Sequence, residues 1–360
     1  MSPTVGEPIE RLETPRLLLD LDRLDGNLRT LQQACAAAGK ALRVHFKSLK
    51  CGGLARYLAD RGVRGFLCAK LNEAEVLVDA GQGDVLIANQ IVGPHKLGRL
   101  VRLARRATVR VCVDDRDNVR QLGEAAHQAG LTLEALVEVD IGMARCGVEP
   151  GEPALRLAQA VVEQRGLRFG GLQAYDGHLQ LLADRDEKRR RCLDGLDRLF
   201  ATRQLLERHG IAVPLVTGAG TGTWEWSAEH PALTELQPGS FLLMDVAYHS
   251  VRPEFACALT VLTTVVSRRP AWYVLDAGSK AISQDFGRPA LKGHTGETLT
   301  RLSEEHANVD DGGFGPQIGE QREVIPAHCC ATMNLHRELI AVRAGRVEAV
   351  WPIEASGRYD

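Results

Sequence analysis

TVRVCVDDRDNVRQLGEAAHQAGLTLEALVEVD, residues 108–140, decides the fold class. TVRVCV and LEALVEVD belong to a set of strand-like runs, several of them continuously apolar without in/out alternation. A strand of that kind is covered on both faces, as in a parallel sheet. Between them, DRDNVRQLGEAAHQAG has the polar start and recurring apolar positions of an amphipathic helix. Strand, helix and strand joined by short connections make an α/β unit.

The same unit recurs on both sides. Upstream, LRVHF (42–46) precedes GGLARYLADRG, GFLCA (65–69) precedes NEAEVLVDAG, and DVLIAN (84–89) precedes GPHKLGRLVRLARR. Downstream, LRFGGLQAYD (167–176) precedes a charged helix near 184–209, followed by AVPLVTG (212–218) and SFLLMDV (240–246). Eight strands over ~230 residues fit a closed (β/α)8 barrel. An open doubly wound sheet is the alternative, but no Gly-x-Gly-x-x-Gly follows the first strand. LLLDLDRLDGNLRTLQQACAAAG reads as a short strand entering a helix, with Asp22 as candidate cap, placed to close one end of the barrel. After residue 250, ACALTVLTTVVSRR (256–269), AWYVLDAG (271–278) and RVEAVWPI are strand-like, and helical periods become scarce. The expected division is a barrel over 17–250 and a mainly β domain over 251–360. Residues 1–16 and the LLLDL segment are open to pairing with the β domain.

The chain has 360 residues, 44% of them hydrophobic, and a net charge of −2. No basic stripe points to nucleic acid. The basic run Lys188–Arg191 follows Asp184, Asp186 and Glu187 and reads as a solvated helix face. No apolar run approaches the ~20 residues that cross a bilayer, and MSPTVGEPIE is not a signal-peptide pattern. Nine scattered cysteines, an odd number mostly inside apolar runs, suit a reduced, cytoplasmic protein.

In a barrel, chemistry belongs at the C-terminal ends of the strands. His45 and Lys47 stand at one such end. Glu138 and Asp140, with Arg145 beyond, stand at another, and Tyr175, Asp176 and His178 at a third. The seventh strand runs into TGAGTGT (217–223). A lone lysine usually faces solvent, an expectation that a place at the end of a buried strand weakens, and a glycine-rich segment is often only a turn. Together they suggest more: Thr217, Gly218, Gly220 and Thr221 can cradle a phosphate through N–H and hydroxyl groups, and Lys47 can form a Schiff base. Pyridoxal phosphate (PLP) requires both features and a partner for its ring nitrogen. In IPAHCCATMN (325–334), His328 and Cys330 offer a nitrogen and a sulfur on one side of an extended strand. Zinc accepts that pair, but two ligands do not complete a shell.

The ordered blocks TPRLLLDLDRLDGN (14–27), HFKSLK (45–50), CAKLNEAEVLVDAG (68–81), VEVDIGMARCGV (137–148), LQAYDGH (172–178), TGAGTGT (217–223), MDVAY (244–248), LDAGSKA (275–281), SEEHA (303–307) and HCCATMNLH (328–336) span most of the chain. They resemble the fold-type III PLP enzymes grouped with D-threonine aldolase, 3-hydroxy-D-aspartate aldolase and eukaryotic-type D-serine dehydratase. The resemblance implies an alanine-racemase-like (β/α)8 barrel followed by a β domain, and a homodimer. It places the Schiff-base lysine on Lys47 rather than Lys50. It places the arginine for the cofactor's phenolic oxygen on Arg145, the residue near the pyridine nitrogen on Tyr175, and the metal ligands on His328 and Cys330.

Three departures bear on the reaction. The aldolases resemble His-Cys-Asp at the metal site, where this chain has Cys330, as the zinc-dependent dehydratases do. The aldolases' catalytic histidine, six residues past the tyrosine, is here Leu181, which leaves His178 as the nearby candidate base. The histidine often found between the two lysines is here Leu49. The resemblance implies a PLP- and divalent-metal-dependent lyase on small D-3-hydroxyamino acids, with zinc favoured over manganese or magnesium. Retro-aldol cleavage to glycine and an aldehyde is preferred on overall block similarity. Dehydration of D-serine or D-3-hydroxyaspartate to a 2-oxo acid and ammonia is the alternative, favoured by Cys330 and Leu181. A racemase would need no metal pair, and a cofactor carrier would leave that pair unexplained.

Overall fold

The computed structural model describes residues 3–360. Strand β1 (Arg16–Asp20) comes first. Eight strands then alternate with helices: β2 (Ala41–His45), β3 (Gly65–Cys68), β4 (Asp84–Ile87), β5 (Thr108–Val113), β6 (Leu133–Glu138), β7 (Leu167–Ala174), β8 (Leu215–Gly218) and β9 (Glu235–Leu236). Eight more follow: β10 (Leu259–Arg269), β11 (Trp272–Leu275), β12 (Ala290–Leu291), β13 (Thr298–Leu302), β14 (Ala307–Asp310), β15 (Gln321–Ile325), β16 (Glu338–Arg343) and β17 (Arg346–Pro352). The chain divides into two units. One contains the residues up to Thr30 with Ser48–Leu54 and Ser240–Gly357; the other contains Leu31–Lys47, Ala55–Gly239 and Arg358–Asp360.

In the second unit, strands β2 to β9 close into a parallel barrel. The stretch 108–140 supplies β5, the helix Arg116–Gln128 and β6. Asp115 begins that helix by accepting from the N–H groups of Asp117 and Asn118, and Val119, Leu122 and Ala126 are buried. Closure depends on the two-residue β9, which pairs with β2 at Ala41↔Glu235 and with β8 at Thr217↔Glu235. The eighth strand expected at 240–246 is a 3-10 turn, Ser240–Leu242; two paired residues already join the barrel's edges.

Toward the strand N-termini the barrel interior is ionic. Arg43 Nε meets Glu235 Oε1 at 2.7 Å and its Nη1 meets Asp84 Oδ1 at 2.9 Å. Arg110 pairs with Asp84, and with Glu134 at 3.0 Å. Thr217 donates its hydroxyl to Glu235 at 2.8 Å. Buried Leu67, Leu86, Cys112 and Leu136 form an apolar cluster in the same interior.

In the other unit, the strand order is β13-β14-β11-β10-β1-β16-β17, with β15 also paired to β10 and β12 to β15. Strand β1 is antiparallel to β10 and parallel to β16, so LLLDL does pair into the β domain. Residues 17–30, expected in the barrel segment, therefore lie in the sheet unit. The cap expected at Asp22 is Asp20, which accepts from the N–H groups of Asp22 and Arg23. No helix among the described residues is long and apolar enough to cross a membrane.

Candidate active site

At the C-terminal end of the barrel strands lies a cavity of about 210 Å³. Its polar lining is His45, Lys47, Asn89, Gln90, Glu138, Arg145, Cys146, Gln173, Tyr175 and Gln237; Leu67, Ala69 and Ala88 supply apolar wall.

Lys47 enters it from a single 3-10 turn, Phe46–Ser48, directly after β2. The backbone N–H of Lys47 donates to His45 Nδ1 at 3.3 Å, and the imidazole also bonds the backbone of Leu67. Burial, and then the charge of Lys47, hold the His45 ring well below its ordinary pKa. His45 is thus a neutral brace beneath the lysine. Lys50 differs: its Nζ donates to the Ala355 carbonyl at 3.3 Å in the sheet unit.

Arg145 sits on a loop wound around one carboxylate. Asp140 Oδ1 accepts from Gly142 N at 2.9 Å and Met143 N at 2.8 Å, and also binds Ala144 N. Burial opposes the Asp140 charge, but these backbone N–H groups outweigh it and hold the carboxyl below its usual range. Lys47 Nζ and Arg145 Cζ lie 5.3 and 5.7 Å from the Tyr175 ring centroid, within cation–π range.

Tyr175 and Gln173 face the cavity because of a β-bulge. The register of β6 and β7 slips between Ala135 and Leu136, leaving Gly170 as the extra residue. Before the bulge Arg168 aligns with Glu134; after it Gly171 aligns with Leu136 and Gln173 with Glu138. A Cβ on Gly170 would lie 2.6 Å from Glu134 Cγ, and one on Gly171, at φ +136, 1.9 Å from the Leu215 carbonyl oxygen. Only the Gly-Gly pair lets the backbone approach this closely.

Glu138 accepts from Gln90 Nε2 at 2.5 Å. Burial raises its carboxyl above the usual range, against the pull of Gln90 and Arg145. Gln173 and Gln237 are buried, and Gln173 Oε1 and Gln237 Nε2 have no hydrogen-bond partner among the described residues. Buried polar atoms without partners are costly; a polar ligand in this cavity would supply them. The residues present therefore fit PLP: an amine, a guanidinium, an aromatic hydroxyl and unsatisfied amides around one cavity.

The other expected residues lie elsewhere. Thr217, Gly218, Gly220 and Thr221 are buried and do not line this cavity. Their loop folds onto Gln180, whose Oε1 accepts from Gly222 N at 2.7 Å and would meet a Cβ on Gly220 at 2.4 Å. Asp176 is buried and accepts from Gln180 Nε2 at 2.9 Å, a structural use. His178 is outside the lining too. Its ring packs against Gly142, its Nδ1 has no partner among the described residues, and burial, then Arg191, lowers its pKa.

In the sheet unit, His328 and Cys330 are not on an extended strand as expected. His328 is the extended residue preceding the helix Cys329–Met333, which contains Cys330. Asp245 sets the start of that helix, accepting from Cys329 N at 2.7 Å. Cys330 Sγ donates to Ser48 Oγ at 3.0 Å, and Ser240 Oγ lies 3.5 Å away. Burial disfavours the His328 charge, but the Cys330 side chain, and then Asp285, overcome it and push the pKa up to about 9. The donor set suits a soft or borderline divalent ion. No group of three or more His, Cys, Asp or Glu side chains forms a metal cluster among the described residues.

Sequence reading missed Asn89, Gln90, Gln173, Gln237 and Asp285. Uncharged amides carry no motif, and Asp285 is one carboxylate in a loop. Strand-end position was the available signal for Gln173.

Residues 19–246 match the alanine racemase N-terminal domain, and residues 258–342 a putative serine dehydratase domain. The chain is 40% identical to the D-threonine aldolase of Arthrobacter sp over 98% of this chain and 95% of that one. It superposes on the crystal structure of D-threonine aldolase from Filomicrobium marinum with a TM-score of 0.96, 40% identity and 99% coverage of both chains. D-threo-3-hydroxyaspartate dehydratase from Delftia sp. HT23 gives a TM-score of 0.86 and 26% identity, covering 96% of this chain and 98% of that one. Barrel, lysine-bearing cavity and full-length similarity agree: this chain belongs to the fold-type III, PLP-dependent family of D-threonine aldolase-like and D-serine dehydratase-like lyases.

Proposed function

We propose that this protein cleaves small D-3-hydroxyamino acids by a retro-aldol reaction, releasing glycine and an aldehyde. The observation that carries the reading is the cavity in which Lys47, Arg145 and Tyr175 converge at the barrel's C-terminal end. Similarity to D-threonine aldolase over almost the whole chain favours carbon–carbon cleavage over dehydration.

When bound, PLP supplies an electron sink and the divalent ion a Lewis acid. Lys47 would hold the cofactor covalently and, once freed, carry a proton. Arg145 would hold the phenolic oxygen. Tyr175, a neutral partner, would leave the pyridine nitrogen uncharged. The 217–223 loop would hold the phosphate through Gly218, Gly220 and the Thr221 hydroxyl; the Thr217 hydroxyl, also expected there, is spent on Glu235. His328 and Cys330 would hold the metal, with zinc favoured because one donor is a thiolate; manganese and magnesium are the alternatives. His178, which lies outside the cavity lining, would take the hydroxyl proton, supported by a ring whose pKa burial lowers and an Nδ1 without a partner among the described residues. A homodimer in the cytoplasm completes the reading; sedimentation of a fully active monomer would reject the dimer.

Cys330 favours a second reading, dehydration to a 2-oxo acid and ammonia. Product analysis separates the two. Purified protein is supplied in turn with D-threonine, D-serine and D-3-hydroxyaspartate. Glycine with an aldehyde or glyoxylate is expected; ammonia with a 2-oxo acid would overturn the aldolase reading. Chelation should remove activity while leaving the cofactor's absorption band in place.

A further inference from the structure

We propose that Asp285 is a positioning residue for the metal site: it holds His328 with Nδ1 protonated and Nε2 presented to the ion. The inference rests on the reading that His328 and Cys330 take a divalent metal. Asp285 Oδ2 lies 2.8 Å from His328 Nδ1. A carboxylate partner at that distance fixes the proton on Nδ1, because only the N–H can donate. In the neutral ring that takes a metal, Nε2 then carries the lone pair. Metal-bound histidines commonly use their second nitrogen in this way, and the acceptor sets ring orientation and raises ligand basicity.

Asp285 is itself held. Its Oδ1 accepts from the Ser283 hydroxyl, and Ser283 N in turn donates to Thr332 Oγ1 at 3.1 Å. The imidazole is clamped from its face as well: the Phe286 ring stacks on His328 with centroids 3.9 Å apart and planes 16° apart. Residues 283–286 therefore fix the ring's tautomer, rotation and plane. Asp285 spends its nearer oxygen on the histidine, so it is assigned the ligand's support and not a third ligand position.

The test uses cobalt(II) binding to full-length protein, read by equilibrium affinity and by the thiolate-to-cobalt charge-transfer band. Asp285→Asn should weaken cobalt binding about 10–100-fold, as loss of an outer-shell partner does, with the band retained in saturated protein. Wild-type affinity in Asp285→Asn overturns the proposal. A weakened site whose ligand-field spectrum shows a changed coordination number also overturns it, because Asp285 would then be a ligand. Should Asp285→Asn fail to fold, 15N spectra of metal-loaded wild-type protein decide: a proton on His328 Nδ1 supports the assignment and one on Nε2 rejects it. His328→Ala and Cys330→Ala separate this from the parent reading. If both bind cobalt as wild type does, it is the metal pair that fails.

Discussion

Toward the strand N-termini of the barrel, Arg43, Arg110, Asp84, Glu134 and Glu235 spend their charges on one another. At the C-terminal end Lys47, Arg145, Tyr175 and Glu138 instead face a cavity, and two buried amide atoms have no partner among the described residues. One barrel thus treats polar interior groups in two ways. A closed ion-pair network adds specificity and is costly to break. An incompletely satisfied set is a liability that a ligand can offset. Residues of similar polarity should therefore fail differently at the two ends.

Lys47→Ala should give the largest effect. Loss of the amine should abolish borohydride-reducible cofactor attachment and, with the proton carrier gone, lower activity by about 10²–10⁴-fold. Folding stability should stay within ~0.5 kcal/mol. Recovery of the reduced cofactor on Lys50 by mass spectrometry would reverse the assignment of the two lysines.

Arg43→Met attacks the other end. It leaves the buried Glu235 carboxylate without its guanidinium, while Asp84 keeps Arg110, and should cost about 3–5 kcal/mol in urea unfolding. PLP affinity of the folded protein should not change. A large affinity loss with little loss of stability would erase the contrast between the ends.

Gly170→Ala probes the bulge that separates the two regimes on β7. The added methyl group would meet Glu134 and Leu136, so overpacking of about 1–3 kcal/mol is expected. Because Gln173 and Tyr175 depend on the same bulge, PLP affinity should fall as well. An unchanged affinity would show that the bulge does not set their direction.

Glu138→Gln should have the smallest effect and the opposite sign. Burial raises the carboxyl's pKa in the folded state, so its contribution to stability is full below the unfolded value near ~4.3 and is lost as pH rises through the folded value. The amide removes that loss. Metal-free, cofactor-free Glu138→Gln should match or exceed wild-type stability at pH 8 and lose the advantage in acid. A flat difference between the two proteins from pH 4 to 8 counts against the assigned shift.

Periodicity in the sequence was enough to specify the repeating α/β units, because buried parallel strands must be continuously apolar while their helices need one apolar face. It also marked Lys47 and Tyr175 as strand-end residues, whereas Arg145, on the loop beyond β6, owed its role to the family resemblance. Those properties are local in the chain. The eighth strand was not legible, since two residues of β9 carry no periodicity and acquire identity only by pairing with β2 and β8. Nor did the sequence reveal which face Gln173 and Tyr175 take: a one-residue bulge inverts the in/out parity, and Gly170 and Gly171 read equally well as flexibility. Asp140 and Asp176 looked like chemistry at strand ends, yet backbone N–H groups and Gln180 claim them. Whether a polar residue is spent on structure or left facing a cavity depends on partners distant in sequence, and only tertiary packing supplies those partners.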